Sequence, residues 1–147
     1  LPIDAVICAA AVADWRVKSV GSQKMKKESG GLPSFSLVEN PDILKTISGL
    51  RENRPELVIG FAAETENVVD NAVRKRARKG CDWILANDVS EGTGTFGGEE
   101  NTIHFVDGDQ VTHWPKMTKI AVAERLADAV ADHFAQRKNK PQNVAAD

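Results

Sequence analysis

The sequence predicts an α/β fold, a three-layer, Rossmann-like arrangement on a mostly parallel sheet with an appended β-hairpin. Three observations carry this. Near-continuous apolar runs at Ala5 to Val12, Leu57 to Ala62 and Trp83 to Ala86 have the composition of strands buried on both faces. Segments of helical period separate the later runs, which implies right-handed βαβ crossovers and a parallel sheet. Two further runs, Ile103 to Val106 and Val111 to Trp114, flank Asp107-Gly108-Asp109-Gln110, which reads as a hairpin turn.

The first run ends abruptly in Asp14-Trp15-Arg16, as a buried strand does on leaving a sheet, and ligands of open α/β sheets bind just outside such ends. Lys24, Lys26 and Lys27 follow among Gly21, Ser22, Gly30 and Gly31, and read as a mobile basic loop suited to closing over a phosphorylated ligand or, equally, as a solvated segment. Asn40-Pro41 supplies an N-cap with proline at the first helical position, and Ile43, Leu44, Ile47 and Leu50 then share one face. The second helix covers Asn67 to Lys79, with Val68, Val69, Ala72, Val73 and Ala77 as its apolar face and Gly80 as its stop. A third spans Thr118 to Gln136 with Ile120, Ala123, Ala127, Val130 and Phe134 inward. The polar stretch Arg137 to Asp147 reads as a disordered tail, leaving one domain over residues 1–136.

Composition narrows the function. At 147 residues and 41% hydrophobic content the chain builds one core. A net charge of -2 argues against a dedicated nucleic-acid binder, while local basic clusters remain able to hold a phosphorylated small molecule. Cys8 and Cys81 both lie in apolar runs without metal-ligand spacing, and two buried free thiols fit a reducing cytoplasm. No apolar stretch has the length of a membrane span, so no membrane partner is expected. The chain opens on Leu1 and reaches a strand almost at once, so it reads as a piece of a longer protein.

Each parallel run ends in polar residues: Asp14, then Glu64-Thr65, then Asn87-Asp88. A parallel sheet gathers these at one edge, as a binding site or simply as polar loops. In Arg74 to Gly80, Lys75 and Lys79 are four apart and share a face, as do Arg74 and Arg78; spacing alone favours a solvated face. The helix start at Asn40-Pro41-Asp42-Ile43 exposes N–H groups that can hold an anion or a base edge. Phe61 stacks on a base or belongs to the core. His104, His113 and His133 have no metal-motif partners and read as structural or surface residues. Gly92 to Gly98 is glycine-rich but precedes no helix, so it reads as a loop and not a phosphate cradle.

Six collinear segments together resemble one family. They are AAVADW (Ala10 to Trp15), KMKK (Lys24 to Lys27), ENPDIL (Glu39 to Leu44), GFAAET (Gly60 to Thr65), KRARKG (Lys75 to Gly80) and ANDVS (Ala86 to Ser90). In this order they resemble the phosphopantothenoylcysteine synthetase domain, usually the C-terminal half of a bacterial bifunctional coenzyme A biosynthesis flavoprotein. The resemblance implies a CTP-dependent ligase that joins 4′-phosphopantothenate to cysteine through an acyl-cytidylate, with Mg2+ accompanying CTP and FMN confined to an absent decarboxylase half. It implies nucleotide contacts from Ala9, Ala10, Ala11 and Asp14, and a cytidine pocket at Asn40, Pro41, Asp42 and Ile43 with Phe61 near the base. Lys75 and Lys79 would reach the nucleotide, and Lys24 would contact the phosphates as the catalytic residue. Metal ligands are unassigned. A homodimer with sites near its interface is implied as well.

The family's domain opens with a glycine-rich segment and an asparagine linked to turnover of the acyl-cytidylate. This chain starts after both, so the isolated piece is expected to be inactive. The alternatives are a non-catalytic nucleotide-binding or dimerisation module, and a short-chain dehydrogenase fragment. The second is disfavoured because the chain has 0 Tyr for a Tyr-Lys pair.

Overall fold

The computed structural model describes residues 2–19, 35–90, 93 and 98–138. In chain order its elements are β1 (Ala5–Cys8), β2 (Trp15–Val17), β3 (Leu37–Glu39), α1 (Ile43–Ser48), β4 (Leu57–Glu64), α2 (Val68–Lys79), β5 (Trp83–Asp88), β6 (Glu100–Asn101), β7 (Ile103–Asp107), β8 (Gln110–His113), β9 (Met117–Thr118) and α3 (Lys119–Lys138). Gly21, Ser22, Lys24, Lys26, Lys27, Gly30 and Gly31, most of the 92–98 stretch and residues 139–147 lie outside the described residues.

The main sheet runs β1-β4-β5-β7-β8. β1, β4 and β5 are parallel, and β7 and β8 follow antiparallel as the appended hairpin, so the expected α/β class is the one found. The first strand is shorter than its apolar run. It stays in register with β4 only from Ala5↔Leu57 to Cys8↔Gly60 and then peels away. It is also a sheet edge and not buried on both faces: Ile7 is 48% exposed and Cys8 half-buried. β4 and β5 continue past their apolar runs, in register through Ala63↔Asn87 and Glu64↔Asp88.

Alternation along the central strands builds a core on each face. Leu57, Ile59, Trp83, Leu85 and Ile103 point to one side, where Trp114 and Val122 and Leu126 of α3 cover them. Val58, Ala62, Ile84, Ala86 and Val106 point to the other, beneath Ala72 of α2 and Leu44 and Ile47 of α1. Three layers result. Each fully buried aliphatic side chain contributes about 1.5–3 kcal/mol. Trp83 meets Phe105 edge-on at 5.1 Å and His133 at 5.4 Å, and Phe105 stacks on Trp114 at 5.4 Å. This aromatic group seats α3. Gly60 is the close-approach point on the opposite face, since a Cβ there would stand 2.5 Å from Leu44 Cδ2.

Each of the three helices differs in detail from expectation. α1 is capped by Asp42, not Asn40: its Oδ1 accepts from the Lys45 N–H at 3.0 Å. Asn40 is instead recruited by residues distant in sequence. α2 ends at Gly80 as expected, with φ 72 and its N–H donating to Arg76 O, but Ala77 is exposed. In α3 the inward stripe is Val122, Leu126, Ala129, Val130 and Phe134, while Ile120 is 73% exposed and Ala123 and Ala127 face outward. The larger Val122 and Leu126 take the core positions, and alanine costs little at either face. α3 also runs through Arg137, whose guanidinium pairs with Glu56 Oε1 at 2.6 Å, so the expected tail does not begin there. His104 and His113 oppose one another across the hairpin, with Nδ1 atoms 2.6 Å apart, and burial lowers the basicity of His104. Among the described residues no helix is long and apolar enough to cross a membrane.

Candidate functional site

Where β1 leaves β4, a cleft of about 550 Å3 opens. Its floor is Ile7 to Ala10 with Val12, Ala13 and Phe61 of β4, one wall is the segment Glu39 to Leu44, and the other is α2 through Lys75, Arg78 and Lys79. Asp14 and Trp15 stand at its rim. Three local causes shape it. Ala9 and Ala10 carry only methyl groups, so backbone lies close to the cleft surface. The β2–β3 ribbon turns the chain back, pairing Trp15 with Glu39. Asn40 then ties floor to wall: its Nδ2 donates to Ala13 O at 2.7 Å, its Oδ1 accepts from Arg16 at 3.0 Å, and its N–H donates to Asp14 O at 2.8 Å. Arg16 also donates to Glu39 O at 2.9 Å.

The helix start sits beside the cation wall. Asp42 caps α1 with one oxygen and pairs with Lys79 through the other. Burial alone would raise its carboxyl, but the Lys79 and Lys45 N–H hydrogen bonds and the nearby ammonium charges outweigh burial and hold it below its ordinary value. Phe61 is partly buried against the α3-side core and also lines the cleft, so the core reading and the cleft reading both hold. Cys8 lines the cleft with its thiol raised by burial. Among the described residues no group of three or more His, Cys, Asp or Glu is placed to hold a metal ion.

A site of this shape, at the carboxyl end of an edge strand and between a helix start and a cationic helix face, can hold a planar ring and neutralise an anion. Comparison with known proteins gives it a lineage. Residues 2–134 match the family described as "DNA/pantothenate metabolism flavoprotein C-terminal domain". The chain belongs to this family. The coenzyme A biosynthesis bifunctional protein CoaBC of Escherichia coli K12 is 38% identical over 135 residues, covering 89% of this chain and 32% of that protein. The protein of the same name from Haemophilus influenzae is 40% identical over 125 residues, covering 85% of this chain and 30% of its own length. The crystal structure of the C-terminal domain of a CoaBC protein superposes with a TM-score of 0.66 at 31% identity, covering 90% of this chain and 56% of that one. The chain thus spans about a third of the length of these curated relatives.

Within this member of the flavoprotein C-terminal domain family, Ala9, Ala10, Asp14, Asn40, Pro41, Asp42, Ile43, Phe61, Lys75 and Lys79 all line one cleft. Ala11 does not line it, and Lys24 lies outside the described residues. The three polar strand ends part company. Asp14 reaches the cleft and Glu64 a second cavity. Asn87 and Asp88 do neither. Asn87 donates to Ala62 O at 3.2 Å and accepts from Asn101 at 2.6 Å, and Ser90's hydroxyl and N–H hold the Asp88 carboxyl below its ordinary value. Sequence reasoning missed Arg16, Glu39 and Arg78. Only Arg78 left a signal: it lies three residues from Lys75 and so on the same side of the helix.

Proposed function

We propose that this chain carries the CTP-contacting part of a ligase that joins 4′-phosphopantothenate to cysteine in coenzyme A biosynthesis. The observation that carries the reading is the convergence of Ala9, Ala10, Asp14, the Asn40–Ile43 helix start, Phe61, Lys75 and Lys79 on one cleft in a member of this family. In this reading the cytosine lies against the helix start and Phe61, where fixed backbone donors and acceptors can read a base edge. Lys75 and Lys79 face the anionic part, joined by Lys24.

The chemistry asks for positioning and charge neutralisation. A carboxylate oxygen of 4′-phosphopantothenate attacks the α-phosphorus of CTP, the bond to the bridging oxygen breaks, and pyrophosphate leaves with that electron pair. The amine of cysteine then attacks the carbonyl carbon of the acyl-cytidylate, loses a proton, and CMP departs. Mg2+ belongs to this reading as a partner of the triphosphate, where it offsets phosphate charge. Of the cleft carboxylates among the described residues Asp42 is occupied by Lys79, so Asp14 and Glu39 are the side chains that could hold the ion there. A homodimer is part of the same proposal.

Pyrophosphate release by the full-length protein tests it. Release should require CTP and 4′-phosphopantothenate together and fall at least several-fold in Lys24→Ala, since a charge-assisted phosphate contact is worth about 1.5–3 kcal/mol. Release supported equally by ATP, or without 4′-phosphopantothenate, would overturn it.

A further inference from the structure

α2 carries five cations within Arg74 to Lys79, and like charges three or four residues apart destabilise a helix. The structure sorts them by task. Arg76 turns back to Cys81 O and Asp82 O at 3.3 and 3.4 Å and braces the α2–β5 turn. Arg74 donates to Asn71 Oδ1 at 2.7 Å, and Lys79 is paired with Asp42. Lys75 and Arg78 have no hydrogen-bond or carboxylate partner among the described residues. Both line the cleft, and both also line a second cavity of about 540 Å3 completed by Glu64, Asn71 and Arg74. Three of that cavity's four charged residues are therefore cations. Its single carboxylate, Glu64, accepts from Asn71 at 3.3 Å and pairs with none of them.

We infer that this second cavity is an anion subsite taking a phosphate group, with Arg78 as its principal contact and Lys75 shared with the cleft. Two unpaired cations at the junction of two cavities leave a local excess of positive charge, which a phosphate group would offset more directly than solvent does. The planar guanidinium of Arg78 suits two phosphate oxygens at once. The nucleotide's tail and a separate phosphorylated acid present the same chemistry, and only the choice between them rests on the function proposed above.

Titration calorimetry on the whole 147-residue chain separates these cases, with sodium tripolyphosphate, cytidine, CTP and 4′-phosphopantothenate as probes. Arg78→Gln should weaken tripolyphosphate binding about tenfold and leave cytidine unaffected. Arg51→Gln, which removes the same charge from the loop after α1, should change neither. A matching loss for CTP assigns the phosphate to the nucleotide's tail. A loss for 4′-phosphopantothenate with CTP unchanged assigns it to the acid. Equal tripolyphosphate affinity in Arg78→Gln and the parent chain, or an equal loss in Arg51→Gln, overturns the subsite. Loss of CTP selectivity with tripolyphosphate binding as expected would overturn the functional reading alone.

Discussion

Asp42 performs two tasks at one position, and three variants separate them. Asp42→Ala removes the α1 cap, worth about 1 kcal/mol, and the pair with Lys79. The two side chains of that pair are 37% and 18% exposed, so solvent screening limits it to about 0.2–1 kcal/mol. The expected loss is about 1.5 kcal/mol. Asp42→Asn retains a capping oxygen and loses only the charge, so it should cost about 0.5 kcal/mol. Asn40→Ala removes the bonds to Ala13 O and from Arg16. Both are exposed to water, which replaces much of their worth, and the Asn40 N–H to Asp14 O bond survives; about 1 kcal/mol is expected. Urea unfolding at constant m-value measures all three. The pH dependence follows from the lowered Asp42 carboxyl. A group whose folded pKa is depressed stabilises fully above its unfolded value of 3.8, and that stability is lost as pH falls through the folded value. The gap between the parent chain and Asp42→Asn should therefore close in acid. A larger loss in Asn40→Ala than in Asp42→Ala, or equal losses in Asp42→Asn and Asp42→Ala, would refute the assignment of the cap.

Two further outcomes are expected. Gly60→Ala would place a Cβ 2.5 Å from Leu44 Cδ2 and 2.9 Å from Ile84 Cδ1, and this overpacking should cost about 1–3 kcal/mol, read as a lower thermal midpoint; an unchanged midpoint would mean α1 does not rest on that glycine. In a thiol titration of the folded chain at pH 8, Cys8 should react well before Cys81, whose thiol burial pushes to about 11, and CTP should slow Cys8; an unchanged Cys8 rate at saturating CTP would remove the nucleotide from the cleft.

What was legible in the chain follows the physics of each segment. β4 and β5 announced themselves because burial on both faces leaves an unbroken apolar run, the hairpin because Asp107-Gly108-Asp109-Gln110 interrupts two apolar runs with turn residues, and Gly80 because a left-handed helix end favours glycine. β2 and β3 left no trace. They are three residues each, Trp15 and Leu37 are more than half exposed, and their ladder is joined by bonds such as Lys18 N–H to Ser36 O. The cap was ambiguous because Asn40 and Asp42 are both good capping residues, and the choice was made by Ala13 and Arg16, more than twenty residues away in sequence. The α3 stripe was misread for a similar reason, since a helix rich in alanine offers two faces of nearly equal apolar character. The cleft residues could be named from their motifs, but the pairing of Lys79 with Asp42 and the unpaired state of Lys75 and Arg78 are tertiary facts that no spacing records.

The position of β1 at the sheet edge has a consequence for the order of assembly. The β7–β8 turn joins Asp107 to Gln110, and the β4–α2–β5 unit pairs Ile59 with Trp83, both fairly local closures. β1 instead pairs Ala5 with Leu57, closing a loop of about fifty residues whose entropy must be lost before any reward is gained. Docking of β1 is therefore expected late, and the cleft floor is the chain that leaves its end. The pocket comes into being only when the last strand arrives, so a partly folded chain can have its helices and hairpin in place and still have nowhere for a ligand to sit.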